Sequence, residues 1–489
     1  MLPVVLGALA LVVAAVPALN VALPAVAVGT GATQSQLQWV VDGYALVFAG
    51  LLLPAGALGD RYGRRPLLVL GLLLFAAGSA AGALCGTPGP LITARAVMGV
   101  GAAMVMPTTL SVITTSFPPQ QRNRAVGAWI GVAGAGAILG LLTSGLLLEQ
   151  FDWPSVFWFN VALAAVLALA AARWVPNSVD EHQAAVDYLG GVLITLTLAA
   201  VVFGSIEGPE LGWTDPLTVA AFAGGALSGA LWLRWSLRIE HPLLDPRLFL
   251  RRSFTAGVLS IGAQFFVFFG FVFLVIQYVQ LVLGYPPLLA GVALLPIAMV
   301  LGGLSRQAPR LNARLSRRAL SVTGLLLLAA GVLILAGLGR GSSYWLLLSG
   351  IVPLGAGMAL ATAPATTAIV AALPAAKQGV ASAVNDAARE IGGTMGIAVL
   401  GSVLNAAYRG RVAGALPPGL PTPAGQAQDS LPAALAIAHR LGDPGRALAR
   451  TAQTAFTSGM TLALLACAGL LLLTTIAMIV LHRPTPAPR

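Results

Sequence analysis

Five charged side chains fall inside apolar runs long enough to cross a bilayer: Asp42, Arg95, Asp386, Arg389 and Glu390. A charge at that depth costs roughly 2.5 to 3.5 kcal/mol on insertion scales, so each one has to be offset by a partner or put to use. Asp386 and Glu390 are four residues apart and Arg389 is three from Asp386, which on a helix sets both acids on one face with the arginine beside them. Two carboxylates so placed resist ionising together, the behaviour required of a proton carrier. The competing reading is a helix end that neutralises itself at the mouth of a vestibule. Asn20, Asp42 and Arg95 each stand about five to seven residues from the same end of their runs and are expected to share a layer. There Asp42 and Arg95 form either a static buried pair or a group that orients the arginine and recognises a cation.

The elements that must position these residues are membrane helices. The chain has 489 residues, 58% of them hydrophobic and 9% charged, where an ordinary soluble domain carries roughly 25% charged residues. The net charge of +11 would suggest nucleic acid for a soluble chain; here its meaning lies in its distribution. Only two cysteines, Cys85 and Cys467, are present, both in apolar runs, so neither a disulfide framework nor a metal site is read. No phosphate-binding loop of the G-x-x-x-x-G-K type occurs, which argues against a nucleotide-driven pump, and nothing suggests an enzyme or a cofactor.

Apolar runs at 3–25, 38–58, 66–86, 90–116, 125–148, 155–175, 188–206, 216–237, 253–283, 288–308, 319–339, 345–372, 380–404 and 455–481 give fourteen spans at about 20 residues each. The start lacks the basic segment of a signal peptide, so the first run is read as a retained helix. With the N-terminus inside, nineteen of the 27 basic residues fall on inside loops or the tail, among them Arg306, Arg310, Arg314, Lys377, Arg483 and Arg489. Six fall outside, and such a bias places both termini in the cytoplasm. The segment 405–454 reads as a mostly irregular outside cap with a short helix near 432–440.

Between the second and third runs lies Gly56-Ala-Leu-Gly-Asp60-Arg61-Tyr-Gly63-Arg64-Arg65-Pro66. Its three arginines and aspartate belong at a membrane face, and its glycines permit a tight turn between helix ends. This stretch resembles the signature loop of the major facilitator superfamily, in which an aspartate and arginines lock one access state. Other stretches carry the same resemblance along nearly the whole chain. Arg95-Ala-Val-Met-Gly99 is similar to the fourth-helix motif of proton-coupled facilitators, and Asn385 through Gly401 is similar to the corresponding helix of the fourteen-span drug:proton antiporter branch. Gln277-Tyr-Val-Gln280 with Gly284-Tyr-Pro286 is similar to the ninth and tenth helices of that branch. The resemblance implies an all-α integral membrane protein of two six-helix bundles, 1–175 and 253–489, joined by 176–252 with two extra helices. It also implies a gating loop of Gly56, Asp60, Arg61, Gly63, Arg64 and Arg65, and proton coupling through acids such as Asp386 and Glu390.

Two departures stand out. The branch usually has an acid five residues before Asn20, where this chain has Ala15, and its fifth-helix motif G-P-x-x-G-G reads Gly136-Ala-Ile-Leu-Gly140-Leu141, which is expected to weaken the helix bend. Coupling therefore rests on Asp42 or on the Asp386/Glu390 pair with Arg95 and Arg389. An apolar cavity with a few polar anchors is expected from Asn20, Tyr44, Met98, Trp129, Gln264, Phe265, Phe268, Gln277, Gln280 and Asn385. The resulting expectation is a secondary active exporter of hydrophobic small molecules in a bacterial cytoplasmic membrane, exchanging them for protons, contacting membrane lipid but no nucleic acid, and acting as a monomer. A facilitator of the same fold for a metabolite, lipid or siderophore, and a non-transporting sensor or scaffold, are the alternatives.

Overall fold

The computed structural model describes residues 1–179, 187–240, 242–305, 307, 315–373, 378–413, 424–442 and 445–481. Arg306, Arg310, Arg314, Lys377, Arg483 and Arg489 lie outside them. The helices are α1 (Leu2–Thr30), α2 (Gln34–Tyr62), α3 (Arg64–Ala83), α4 (Pro88–Ser116), α5 (Pro119–Gln150), α6 (Pro154–Trp174), α7 (Tyr188–Leu211), α8 (Pro216–Ser236) and α9 (Arg252–Leu281). They continue as α10 (Pro287–Ala293), α11 (Leu295–Ser305), α12 (Arg317–Leu335), α13 (Tyr344–Ala371), α14 (Gln378–Ala413), α15 (Ala424–Asp429), α16 (Leu431–Leu441) and α17 (Gly445–Leu481). Counting α10 and α11 as one span, twelve helices among the described residues are apolar and long enough to cross a membrane, and the bent helices α2 and α5 bring the total to fourteen.

Local chemistry sets the boundaries. Gly31, at φ +69°, ends α1, and Thr33 and Gln36 form a reciprocal capping box that starts α2. Asp187, Asp215, Ser316 and Ser430 each accept from a backbone N–H at the start of α7, α8, α12 and α16. The 54° bend in α2 falls at Pro54, which removes a backbone donor from the helix. Without the motif proline, α5 still turns by 43° near residue 134. Gly131, Gly134 and Gly136 supply the compliance there that a proline would otherwise impose.

Helices α1–α6 pack on one another, chiefly α2 on α4, α3 on α4 and α6, and α1 on α5. A second group is built the same way, with α12 on α13, α9 on α13 and α14, and α17 on α12 and α14. The two groups share a repeat that the backbone makes visible. A Cβ on Gly71 of α3 would stand 2.8 Å from the Gly101 carbonyl of α4, and one on Gly324 of α12 would stand 2.8 Å from the Gly357 carbonyl of α13. Seven residues on, Gly78 meets the Ala94 carbonyl at 2.9 Å and Gly331 meets the Gly350 carbonyl at 2.7 Å. Small residues at these crossings let helix backbones touch, where dispersion and weak polar contacts replace the hydrophobic effect.

The face carrying the 56–65 loop is called here the basic face, and the opposite one the cap face. The cap segment is more regular than its composition suggested: α14 runs on to Ala413, α17 begins at Gly445, and α15 and α16 occupy most of the interval. Alanine-rich sequence has high helix propensity even where it leaves the bilayer, and the helix expected near 432–440 is α16. It packs on α17 and reaches the end of α1.

Candidate functional site

The loop on the basic face separates three arginines that look alike in sequence. Arg64 is 7% exposed, whereas Arg61 and Arg65 face outward. Arg64 donates to Asp60 from Nε at 2.8 Å and lies 2.7 Å from the same oxygen through Nη2, while Ser111 of α4 donates to that oxygen at 3.0 Å. Nη1 of Arg64 donates to Ser178 Oγ at 3.1 Å, and its backbone N–H donates to the Ser178 carbonyl at 3.1 Å. Gly63, at φ +111°, makes the turn, and a Cβ there would sit 2.8 Å from the Asn177 side chain. Gly56 packs against Pro107, with room for only ordinary contact. The loop thus joins α2, α3, α4 and the segment leading to α7 around one carboxylate.

Deeper in the first group, Arg95 is 1% exposed. Its Nε donates to the Val40 carbonyl at 3.0 Å, its guanidinium lies 4.3 Å from the Tyr44 ring centroid, and Nη1 approaches Met98 Sδ at 3.9 Å. Tyr44 donates to the Val12 carbonyl at 3.1 Å, so α1, α2 and α4 meet there. The expected Asp42–Arg95 pair is not formed: both Asp42 carboxylate oxygens are buried without a hydrogen-bond partner among the described residues. The ring of Tyr44 and the Val40 carbonyl have taken the arginine instead. Asn20 is likewise fully buried, and neither end of its amide is bonded. Trp129 donates to Thr109 Oγ1 at 3.0 Å and is anchored on α4.

In the second group, Arg389 lies 3.7 Å from Asp386 and 4.5 Å from the Phe265 ring centroid. Phe265, Phe268 and Phe269 contact one another through their rings, and Asn385 accepts from Thr366 at 3.0 Å. Phe265, Phe268, Asp386 and Arg389 are therefore brought together between α9 and α14. Gln264 is spent on structure: its amide donates to Ser260 and accepts from Thr362 at 2.8 Å. Gln277 donates to the Phe273 carbonyl and leaves its own oxygen unpaired. A cavity of about 160 Å³ lies apart, among α1, α5 and α6 beside Ala14, Gly140, Ser144 and Asn160, and holds none of the expected transport residues. Among the described residues no cluster of three His, Cys, Asp or Glu could hold a metal.

The two groups touch near the cap face. Gln280 of α9 donates to the Val21 carbonyl of α1 at 2.9 Å, and Asn405 of α14 donates to Ser35 of α2 at 3.0 Å. Gln38 fills the space over Gly401, where any Cβ would collide with it. On the other seam Gly145 of α5 meets Leu288 of α10, and Gly291 meets Leu141. Toward the basic face, a Cβ on Gly127 or Gly131 of α5, or on Gly302 or Gly303 of α11, would meet nothing within 4 Å.

The description of the Major Facilitator Superfamily fits residues 5–397. The chain belongs to that superfamily. Among its relatives, the multidrug efflux pump LfrA of Mycolicibacterium smegmatis is 36% identical over 444 residues, covering 90% of this chain and 87% of the relative. The methyl viologen resistance protein SmvA of Salmonella typhimurium is 34% identical over 466 residues, covering 94% and 93%. The multidrug resistance protein Stp of Mycobacterium tuberculosis is 35% identical over 388 residues, covering 79% and 72%. Among solved structures, a bacterial homologue of the lysosomal transporter Spinster, in an inward-facing and unoccupied conformation, superposes with a TM-score of 0.64 over 98% of both chains at 16% identity. At that identity the likeness concerns the major facilitator fold alone.

Sequence reasoning missed the polar residues at the cap end of α7. Trp39 of α2 donates from its indole to Glu207 at 2.6 Å, and Arg409 of α14 lies 3.3 Å from Glu210. The seventh apolar run reads as 188–206, whereas the helix continues to Leu211 and the acids find partners on neighbouring helices. The signal available was the register: Glu207 and Glu210 are three apart and continue the helical face of Phe203.

Proposed function

We propose that this protein exports hydrophobic small molecules of the drug and antibiotic class by exchanging them for protons. Groups 1–175 and 253–489 act as the two moving halves, and 176–252 links them. The drug and antibiotic export in this reading is supported by relatives named for multidrug efflux and methyl viologen resistance that match most of the chain. Proton coupling rests on one observation: Asp386 and Glu390 occupy one turn of α14 in the half nearer the basic face, with Arg389 between an acid and an aromatic ring. That arginine can serve the acid when it is ionised and the ring when it is not, so protonation and cargo binding compete for the same neighbourhood.

In this reading the basic face is cytoplasmic, in keeping with the excess of arginine in its loops, and the membrane is the bacterial cytoplasmic membrane. The state described is open to the cytoplasm and closed outside by Gln280, Gln38 and Asn405. Cargo enters between α5 and α11, meets Phe265, Phe268 and the Tyr44–Arg95 layer, and leaves after the cap-face contacts part. Asp60, bonded to Arg64 and Ser111, forms the switch on the cytoplasmic side. Inside-directed proton entry supplies about 2.3 kcal/mol per charge per 100 mV, enough for one proton per cycle to support accumulation. The protein works as a monomer and contacts only lipid around it. Dye uptake into inverted vesicles, with and without a proton gradient, tests the reading; gradient-independent uptake with no exchange would replace it by simple facilitation.

A further inference from the structure

The extra pair α7–α8 is attached unequally. Helix α8 packs chiefly on α7 and is otherwise largely exposed, whereas α7 lies in the seam between α2 and α14. Along the half of α7 nearer the basic face, its side-chain bonds to the six-helix groups go to α2. Thr195 donates to the Gly50 carbonyl at 3.0 Å, and Gly191 lies against Pro54. Toward the cap face α7 meets both partners. Val202 and Ile206 share a buried apolar cluster with Leu46 of α2 and Ala398 of α14, edged by Trp39 and Met395. Around that cluster Trp39 donates to Glu207 at 2.6 Å, Ser402 of α14 donates to the Ser205 carbonyl at 2.5 Å, and Arg409 of α14 lies 3.3 Å from Glu210. The opposite seam, at Gly145 with Leu288 and Gly291 with Leu141, is joined by close backbone approach rather than by charge.

We propose that Glu207 and Glu210 are positioning residues that make α7 a strap: it rides with α2 and reaches over the seam to α14, holding the cap face closed until the Glu210–Arg409 contact breaks. The inference rests on the reading of the chain as an alternating-access exporter. Its geometric basis is that the direct gate bond, Asn405 to Ser35, joins the same two helices on the same face. For cargo to leave there, α2 and α14 must separate. A helix bonded to both must then release one, and the bonds to α2 extend along more of its length. Release from α14 is therefore the step that costs less. Neither Glu207 nor Glu210 is in contact with the Phe265–Arg389 cluster, so the strap sets the access equilibrium without touching cargo.

Two acids from different elements bear on Arg409: Glu210 on α7 and Asp429 at the end of α15. Asp429 lies outside the membrane spans. Burial raises its pKa, Arg409 beside it acts in the opposite direction, and Glu210 adds to the rise. A charge swap between 210 and 409 would set Asp429 against a new glutamate, so a double-mutant cycle is the cleaner design.

The test uses the full chain in proteoliposomes, with Cys85 and Cys467 replaced and Gln34→Cys as reporter. Gln34 is 3% exposed in the first turn of α2, next to the Asn405–Ser35 bond, so a membrane-impermeant maleimide added from the cap side labels it only when that face opens. Glu210→Gln and Arg409→Gln are each expected to raise the labelling rate about threefold or more, the scale of a half-exposed ion pair. The double variant should label no faster than either single, and Arg409→Lys should stay near the unmodified rate. Trp39→Phe, which keeps the ring contact with Phe203 and removes the donor, should also label faster. Unchanged labelling in both single variants, or effects that multiply in the double, would overturn the strap. The maleimide reading needs neither cargo nor a proton gradient. If dye transport shows no exchange yet the labelling cycle behaves as stated, it is the coupling reading that fails and the strap stands.

Discussion

The guanidinium of Arg389 lies 4.5 Å from the centroid of the Phe265 ring, on a different helix, while staying 3.7 Å from Asp386 on its own. One cation therefore links the chemistry of an acid to the aromatic surface that a hydrophobic cargo would cover. Neutralising the acid frees the cation for the ring, and a cationic cargo at the ring would displace the arginine toward the acid.

This link makes Asp386 or Glu390 the expected proton carrier. In inverted vesicles, Asp386→Asn and Glu390→Gln should lose gradient-driven uptake while retaining gradient-free exchange of labelled cargo. Asp42→Asn should affect cargo preference more than coupling, because Asp42 sits in the closed cap-face half without an ionic partner. Full gradient-driven uptake in both α14 variants, with loss in Asp42→Asn alone, reverses the assignment.

Asp60→Asn should leave the protein inserted and lower transport at least about tenfold, because two donors, Arg64 and Ser111, converge on a single carboxylate oxygen. An amide in its place keeps the shape and loses the charge that holds Arg64. Initial rates at matched expression measure this, and an undiminished rate makes the carboxylate a solvated loop group.

Gly396→Ala should lower thermal stability more than a typical surface substitution, by about 1–3 kcal/mol, because an added Cβ overpacks a tight helix crossing. The new atom would collide with the Phe266 carbonyl of α9, and backbone cannot rotate aside. Gly410, with nothing within 4 Å of its Cβ position, is the control: Gly410→Ala should be neutral or slightly stabilising. Unfolding of the two variants in detergent, followed by tryptophan fluorescence, gives the comparison.

A tag fused after Arg489 should resist protease added to intact cells and be cut in inverted vesicles. Cleavage in intact cells rules out an even number of spans that starts in the cytoplasm.

The sequence by itself determined that the chain spans a membrane, because apolar runs of bilayer length admit only helices there. It also set the charged 56–65 stretch apart from the apolar runs and singled out the five charges within them, since both follow from hydrophobic cost and need no knowledge of neighbours. What it left open depends on which helices meet. Arg95 turned to Tyr44 and Val40 and left Asp42 unpaired, a choice of partner that only the crossing of α2 and α4 makes. Glu207 and Glu210 read as the end of a span until Trp39 and Arg409, at least 168 residues away in sequence, supply the partners that keep them helical. Likewise Arg61, Arg64 and Arg65 are equivalent in composition, and burial beside Asp60, Ser111 and Ser178 singles out Arg64. Solvent preference is a property of a residue, legible along the chain. Pairing is a property of two distant residues, and tertiary packing decides it.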